Sequence, residues 1–197
     1  MAEIETLFAG ADIDRASGLR RDAAALAAAW QDAATRFLPV WEAQCLIRDG
    51  AAGRVSGAEL GACLPPAGQG VFLGLEAGAA RFAVQLESRE APAEFGHFGG
   101  LRDLISLVSA PDAALLAYAG ALVNWHRQYR YCGACGAPVS ADEGGFVLRC
   151  TAASCGHRSF PRMDPAIIVL VHHDRHCLLG RQASGPARRF SPLAGFR

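Results

Sequence analysis

Cys132-Gly133-Ala134-Cys135, followed by Cys150-Thr-Ala-Ala-Ser-Cys155, reads as C-x2-C-x14-C-x4-C. Four thiolates in two close pairs suit one tetrahedral Zn²⁺, with each sulfur about 2.3 Å from the ion. Gly133, Gly136 and Gly156 supply tight backbone around the two knuckles. The usual second pair encloses two residues, so this second knuckle is longer by two. Free buried thiols and a redox pair are the competing readings. A redox C-x-x-C stands alone beside a βαβ unit, and the second pair argues against it.

Working outward, the segment before the first knuckle is a helix. Ser109-Ala-Pro-Asp112 gives a hydroxyl cap, an early proline and an acid three residues on. The helix is predicted to run to about Arg130, with Leu115, Leu116, Ala119, Leu122 and Val123 on its apolar side. Leu101 to Val108 reads as a shorter helix. Val71–Glu76 and Ala80–Leu86 form a hairpin about Ala77-Gly78-Ala79. Residues 48–69 read as loop, and Phe37 to Ile47 as an extended edge, given Pro39 and Trp41. Arg20 to Thr35 is helical with Asp22 as its cap. Residues 1–19 carry little pattern and are expected to be an arm.

Beyond the ribbon, Gly145–Arg149 having been its internal strand, Arg158 to Pro165 is a two-proline connector. Ala166-Ile-Ile-Val-Leu-Val-His172 is a near-continuous apolar run, as for a strand buried on both faces. His173–His176 is a turn and Cys177–Gln182 a returning strand.

The chain has 19 basic and 19 acidic residues, so no global field points to nucleic acid or a membrane surface. Every basic residue is arginine. Of 7 cysteines, Cys45, Cys63 and Cys177 fall outside the motif and are expected to be small buried apolar side chains. No disulfide framework is implied, which favours a reducing, cytoplasmic compartment. Met1-Ala-Glu-Ile-Glu5 has no basic n-region or apolar h-region, so no signal peptide is expected. No apolar run reaches the length of a membrane span.

Phe160-Pro-Arg-Met-Asp-Pro-Ala-Ile-Ile-Val169, then Leu-Leu-Gly-Arg-Gln182, then Leu193-Ala-Gly-Phe196, all after a four-cysteine ribbon, resembles the NADH pyrophosphatases of the Nudix hydrolase superfamily. Val71-Phe-Leu-Gly-Leu-Glu76 and Arg81-Phe-Ala-Val84 look like that family's degenerate first domain. The resemblance implies an α+β chain in three parts. Residues 1–126 would be the N-terminal Nudix-like domain, 127–160 the zinc ribbon, and 161–197 the first strands of an incomplete Nudix α/β/α sandwich. It further implies hydrolysis of the pyrophosphate of NADH or NAD, or of the NAD cap at an RNA 5′ end, to nicotinamide mononucleotide and AMP. Zinc held by Cys132, Cys135, Cys150 and Cys155 would be structural, and Mg²⁺ or Mn²⁺ catalytic. A homodimer is the family's usual state. Phe160 would contact substrate, where the family often has tyrosine; Ala194 would offer its backbone carbonyl to the catalytic metal; Phe196 would stack on nicotinamide.

One departure matters for activity. The family's Nudix box, G-x5-E-x7-R-E-U-x-E-E-x-G-U with U aliphatic, carries the metal-holding carboxylates and is expected downstream of Arg197. The sequence reads as the front of such an enzyme, without catalytic residues of its own and inactive as it stands. The rival reading is a non-catalytic ribbon module that binds RNA or a protein partner. His172, His173 and His176 are expected to be hairpin residues rather than a second metal site, since adjacent strand residues point to opposite faces. Trp125 and His126 are expected to pack against the knuckle.

Overall fold

The computed structural model describes residues 8–88, 96–162 and 164–196. Met1–Glu5, Met163 and Arg197 of the readings above lie outside them. The chain divides into two compact units, one up to Pro161 and one from Arg162.

The first unit is built on a sheet of β1 (Arg36–Trp41), β2 (Gln44–Arg48), β3 (Ala51–Ala52), β4 (Val71–Glu76), β5 (Ala79–Gln85) and β6 (His97–Gly99). Its order is β3-β2-β1-β5-β4, with β6 also paired to β2; β1 and β5 are parallel and the other pairs antiparallel. The strands are apolar on both faces, and the period of two separates them into two cores. Leu38, Val40, Cys45, Ile47, Leu73 and Ala83 fall on one face. Phe37, Leu46, Phe72, Phe82 and Val84 fall on the other.

Helix α4 (Ala110–Gln128) covers the first face with Leu115, Leu116, Ala119, Leu122 and Val123, as its periodicity predicts. Ser109 Oγ accepts from Asp112 N at 3.4 Å, in keeping with the expected cap. Helix α1 (Ala23–Gln31) sends Trp30 to the second face, edge-on to Phe37 and Phe82 at ring distances of 4.8 and 4.9 Å. Asp22 caps it by accepting from Ala25 N at 2.9 Å. Helix α3 (Leu101–Leu107) occupies the span read as a short helix.

Several expectations are corrected. β1 is interior rather than an edge, with β5 on one side and β2 and Val55 on the other. Pro39 is tolerated because Phe37 and Trp41, its neighbours on that side, make the pairings to Val55 and Gln44. Residues 48–69 hold β3 and a short helix α2 (Gly57–Leu60). Its signal was the capping box: Ser56 Oγ accepts from Glu59 N, and Glu59 accepts from Ser56 N at 2.7 Å. Residues 8–19 are no free arm. Phe8, Ala11 and Ile13 pack on the first core, and Asp14 exchanges backbone hydrogen bonds with Leu75. That approach requires Gly74, where a Cβ would lie 2.1 Å from Asp14 O. Cys45 is buried as expected, whereas Cys63 and Cys177 are exposed.

A half-buried ion network pins the start of α4 to the sheet. Arg54 donates to both Glu76 oxygens, Nε at 3.0 Å and Nη2 at 2.7 Å, and to Asp112 Oδ1 at 2.7 Å. Arg81 Nε donates to Glu76 Oε2 at 2.7 Å, and Asp112 Oδ2 accepts from Ala52 N at 3.1 Å. Burial alone would raise the Glu76 pKa, but the hydrogen bonds and charges of Arg54 and Arg81 outweigh it and hold the carboxyl below the usual range.

The second unit has two small antiparallel pairs. β10 (Ala166–Val169) pairs with β13 (Leu193–Phe196), and β11 (His172–His173) with β12 (His176–Cys177). The expectation of a strand buried on both faces is not met: Ile168 is 74% exposed. The apolar run reports a strand that requires cover, and nothing among the described residues of this unit covers it. Among the described residues no helix is long and apolar enough to cross a membrane.

Glu76→Gln is expected to destabilise the first unit by about 1–3 kcal/mol at pH 7, since two arginines lose a charged acceptor. A depressed folded pKa contributes stability that is full above the unfolded value and lost as pH falls through the folded one. The gap between wild type and variant in urea unfolding should therefore narrow from pH 7 towards pH 3. A constant gap would contradict the assignment.

Candidate metal centre

The first knuckle of the ribbon follows α4 after a three-residue link, Tyr129–Tyr131. β7 (Val139–Asp142), β8 (Val147–Cys150) and β9 (Arg158–Ser159) form its antiparallel sheet. β8 begins two residues later than the strand read from Gly145, because Gly144 and Gly145 turn the chain with φ of 63° and 89°.

The two knuckles bring Cys132, Cys135, Cys150 and Cys155 together, all four sulfurs within 4.8 Å of one another. Cys132 and Cys155 Sγ are 3.8 Å apart, and Cys135 and Cys150 Sγ 3.4 Å. A tetrahedron with metal–sulfur bonds of about 2.3 Å has edges of about 3.8 Å, so the set fits a four-coordinate zinc.

Local backbone explains the fit. Ala134 N donates to Cys132 Sγ and Ala152 N to Cys150 Sγ, each at 3.4 Å, so both knuckles aim an amide at the sulfur two residues back. Gly136 and Gly156 take positive φ of 76° and 59°, as their positions predicted; Gly133 does not. The two extra residues of the second knuckle form a turn in which Cys155 N donates to Ala152 O at 3.0 Å. Lengthening therefore leaves the sulfur positions intact.

Proton affinities within the tetrad diverge. The Ala134 amide, with help from Cys135, pulls the Cys132 thiol down to about 6. The Ala152 amide acts in the same sense on Cys150, but burial and the neighbouring sulfurs of Cys135, Cys132 and Cys155 push that thiol up to about 12. Four sulfurs in contact cannot all ionise without a cation between them, and metal binding releases their protons.

The ribbon is seated on the N-terminal domain through the loop between β7 and β8. His126 Nε2 lies 2.6 Å from Gly145 O; a carbonyl only accepts, so Nε2 carries the proton. Burial holds the His126 pKa below its ordinary value despite that bond, so the ring is neutral near pH 7. The Arg20 guanidinium stacks 3.5 Å from the Phe146 ring centroid. Glu143 pairs with Arg21 and Arg158. Trp125 is buried at the same end of α4, with its ring against those of His126 and Tyr129.

The other predicted site residues divide between the units. Phe160, at the ribbon exit, is 55% exposed with the Arg158 guanidinium 5.4 Å from its ring centroid. In the second unit, Ala194 pairs with Ile168 and Phe196 with Ala166; the Phe196 side chain is 82% exposed. His173 faces His176 across the β11–β12 hairpin, and His172 faces Cys177.

Residues 34–125 match the NADH pyrophosphatase-like rudimentary NUDIX domain, and residues 127–160 match the NADH pyrophosphatase zinc ribbon domain. The chain belongs to the NADH pyrophosphatase family of Nudix proteins. It is 38% identical over 191 residues to the NAD-capped RNA hydrolase NudC of Mycobacterium tuberculosis, an alignment covering 93% of this chain and 58% of that protein. NudC of Mycobacterium bovis matches equally. The human NAD-capped RNA hydrolase NUDT12 is 37% identical over 93 residues, 43% of this chain and 20% of the relative. The chain thus spans a little over half the length of the NudC relatives.

Protein purified without added zinc is expected to carry about one equivalent of zinc per chain. Cys135→Ser should lower that content severalfold and lower the thermal midpoint, because metal binding supplies folding free energy to the ribbon. Elemental analysis and calorimetry read both. A metal-free protein with a fully folded ribbon would contradict the assignment.

Proposed function

We propose that this chain supplies the N-terminal domain, the zinc ribbon and the leading strands of the hydrolase domain of an enzyme that cleaves the pyrophosphate of NADH, NAD or an NAD cap on RNA. The products are nicotinamide mononucleotide and AMP. The observation that carries the reading is the alignment with NAD-capped RNA hydrolases over 93% of the chain, continuous through domain, ribbon and the strands that follow. The division at residues 126/127 and 160/161, an α/β/α sandwich begun by residues 161–197, a homodimeric state and a cytoplasmic location belong to the same proposal.

Within it, zinc on Cys132, Cys135, Cys150 and Cys155 is structural and fixes the ribbon exit. Phe160 follows the last knuckle by five residues and presents an exposed ring to substrate. Its lack of a hydroxyl leaves stacking and van der Waals contact as its contribution. Phe196 offers an exposed aromatic face for nicotinamide, and Ala194 a main-chain oxygen for a divalent cation. Mg²⁺ or Mn²⁺, when bound, neutralises pyrophosphate charge and activates water. Such ions require several carboxylate oxygens. From residue 161 onward the acids are Asp164 and Asp174. Asp164 accepts from Arg162 at 2.9 Å and Asp174 lies in the β11–β12 turn. Neither builds a metal cage, so the cage is assigned to glutamates of a Nudix box.

The 197-residue polypeptide, incubated with NADH and Mn²⁺, is therefore expected to release no AMP above blank by liquid chromatography. A chain extended through a Nudix box should release it in proportion to enzyme, and lose at least tenfold in rate when Phe196 is changed to Ala. Chelator-sensitive hydrolysis by the 197-residue chain would contradict the assignment of the cage. Inactivity of the extended chain on NADH and on NAD-capped RNA alike would contradict the function.

A further inference from the structure

The last two residues of α4 and its link to the first knuckle read Arg127-Gln-Tyr-Arg-Tyr131, two arginines interleaved with two tyrosines. All five residues are exposed, Tyr129 at 41% and Tyr131 at 65%. Tyr129 rests one side of its ring against Trp125, at 6.0 Å between centroids, and remains exposed on the rest; Tyr131 is the more exposed of the two. Arg127 donates to Asn124 Oδ1 at 3.1 Å, and neither Arg127 nor Arg130 has an ion pair among the described residues.

The segment borders two neighbouring cavities in the first unit. One, of about 610 Å³, is lined by Gln69, His126, Tyr129, Arg130, Tyr131 and Ser140. The other, of about 690 Å³, continues along Gln85, Glu87 and Arg127. Gln69, His126 and Arg130 line both, so the two form one groove between the 62–69 loop, the end of α4 and the ribbon. Each part is within the size range of sites for small organic ligands.

The groove wall is held in place. Val139 N donates to Arg130 O at 3.2 Å, Tyr131 bridges Pro138, and Cys132 N donates to Ala137 O at 2.7 Å. The stacking surfaces are thus fixed by the ribbon that the metal centre folds. Aromatic side chains with arginines along a groove are the apparatus for single-stranded nucleic acid: bases stack on the rings and guanidinium groups meet the phosphates.

We propose that this groove binds single-stranded RNA, through stacking of bases on Tyr129 and Tyr131 and contact of Arg127 and Arg130 with the backbone. The inference rests on the NAD-capped RNA reading above and assigns a track for the RNA body, apart from the pyrophosphate to be cleaved. Glu87 lines the same cavity as Arg127, whereas Arg130 lines both, so the main phosphate contact is assigned to Arg130.

The test is fluorescence anisotropy with the zinc-loaded 197-residue chain and an uncapped, 3′-labelled RNA of about twelve nucleotides, which needs no hydrolysis. Expected is saturable binding that weakens about tenfold on Tyr131→Ala. Arg130→Ala should weaken it too, and flatten the log–log salt slope by about 0.7. Arg175→Ala, an equal loss of charge on the second unit, should change nothing. Zinc content and circular dichroism establish that each variant is folded. Absence of binding, indifference to Tyr131→Ala and Arg130→Ala, equal affinity for duplex RNA, or AMP competing as tightly as RNA would each overturn the proposal. Loss of NADH hydrolysis in an extended chain is a separate outcome and leaves this one standing.

Discussion

The loop Glu143–Phe146 is the contact on which the rest of the first unit depends. Four residues receive the end of α4, the N-terminal segment and the sheet at once. Gly145 gives its carbonyl to His126 and sits so close to β4 that a Cβ would meet Val71 Cα at 3.1 Å. Phe146 takes the Arg20 guanidinium on its ring and lies 6.2 Å from the ring of Tyr118, which in turn carries Arg15 at 3.6 Å. Positive φ at Glu143, Gly144 and Gly145 permits this reach. Ribbon and N-terminal domain are thereby one folded unit rather than beads on a linker.

Metal and sheet act on this junction from opposite sides. The tetrad orders β8, and β8 delivers the loop; the Arg54–Glu76–Asp112 network fixes the start of α4, and α4 delivers His126. The two chains of contacts converge at Gly145. That coupling explains why residues 8–21 pack down although they carry no strong helix or strand pattern. Their partners are assembled by long-range contacts, to Leu75, Tyr118, Glu143 and Phe146.

What could be read from the sequence followed from strong local signals. The cysteine spacing gave the tetrad, periodicity gave α4 and its buried face, and Ala77-Gly78 gave the β4–β5 turn. The Ser56–Glu59 capping box was equally legible but was masked by the glycines, alanines and prolines around it. The central position of β1 was hidden because a proline argues for an edge, and only the missing partner at Pro39 reconciles the two. The seat of His126 on Gly145 had no local signature, being a contact between residues 19 apart in sequence. Phe160 and Phe196 were singled out by resemblance, and both side chains are exposed; spacing alone would have placed Phe196 in a core.

Hydrogen exchange read by mass spectrometry, with and without chelator, tests most directly whether the metal-folded ribbon and the N-terminal domain share this junction. On metal removal the account predicts lost protection through residues 132–159, spreading to residues 14–26 and the last turns of α4, while β1 and β5 stay protected. Deprotection confined to the ribbon, with residues 14–26 and His126 unchanged, would contradict it.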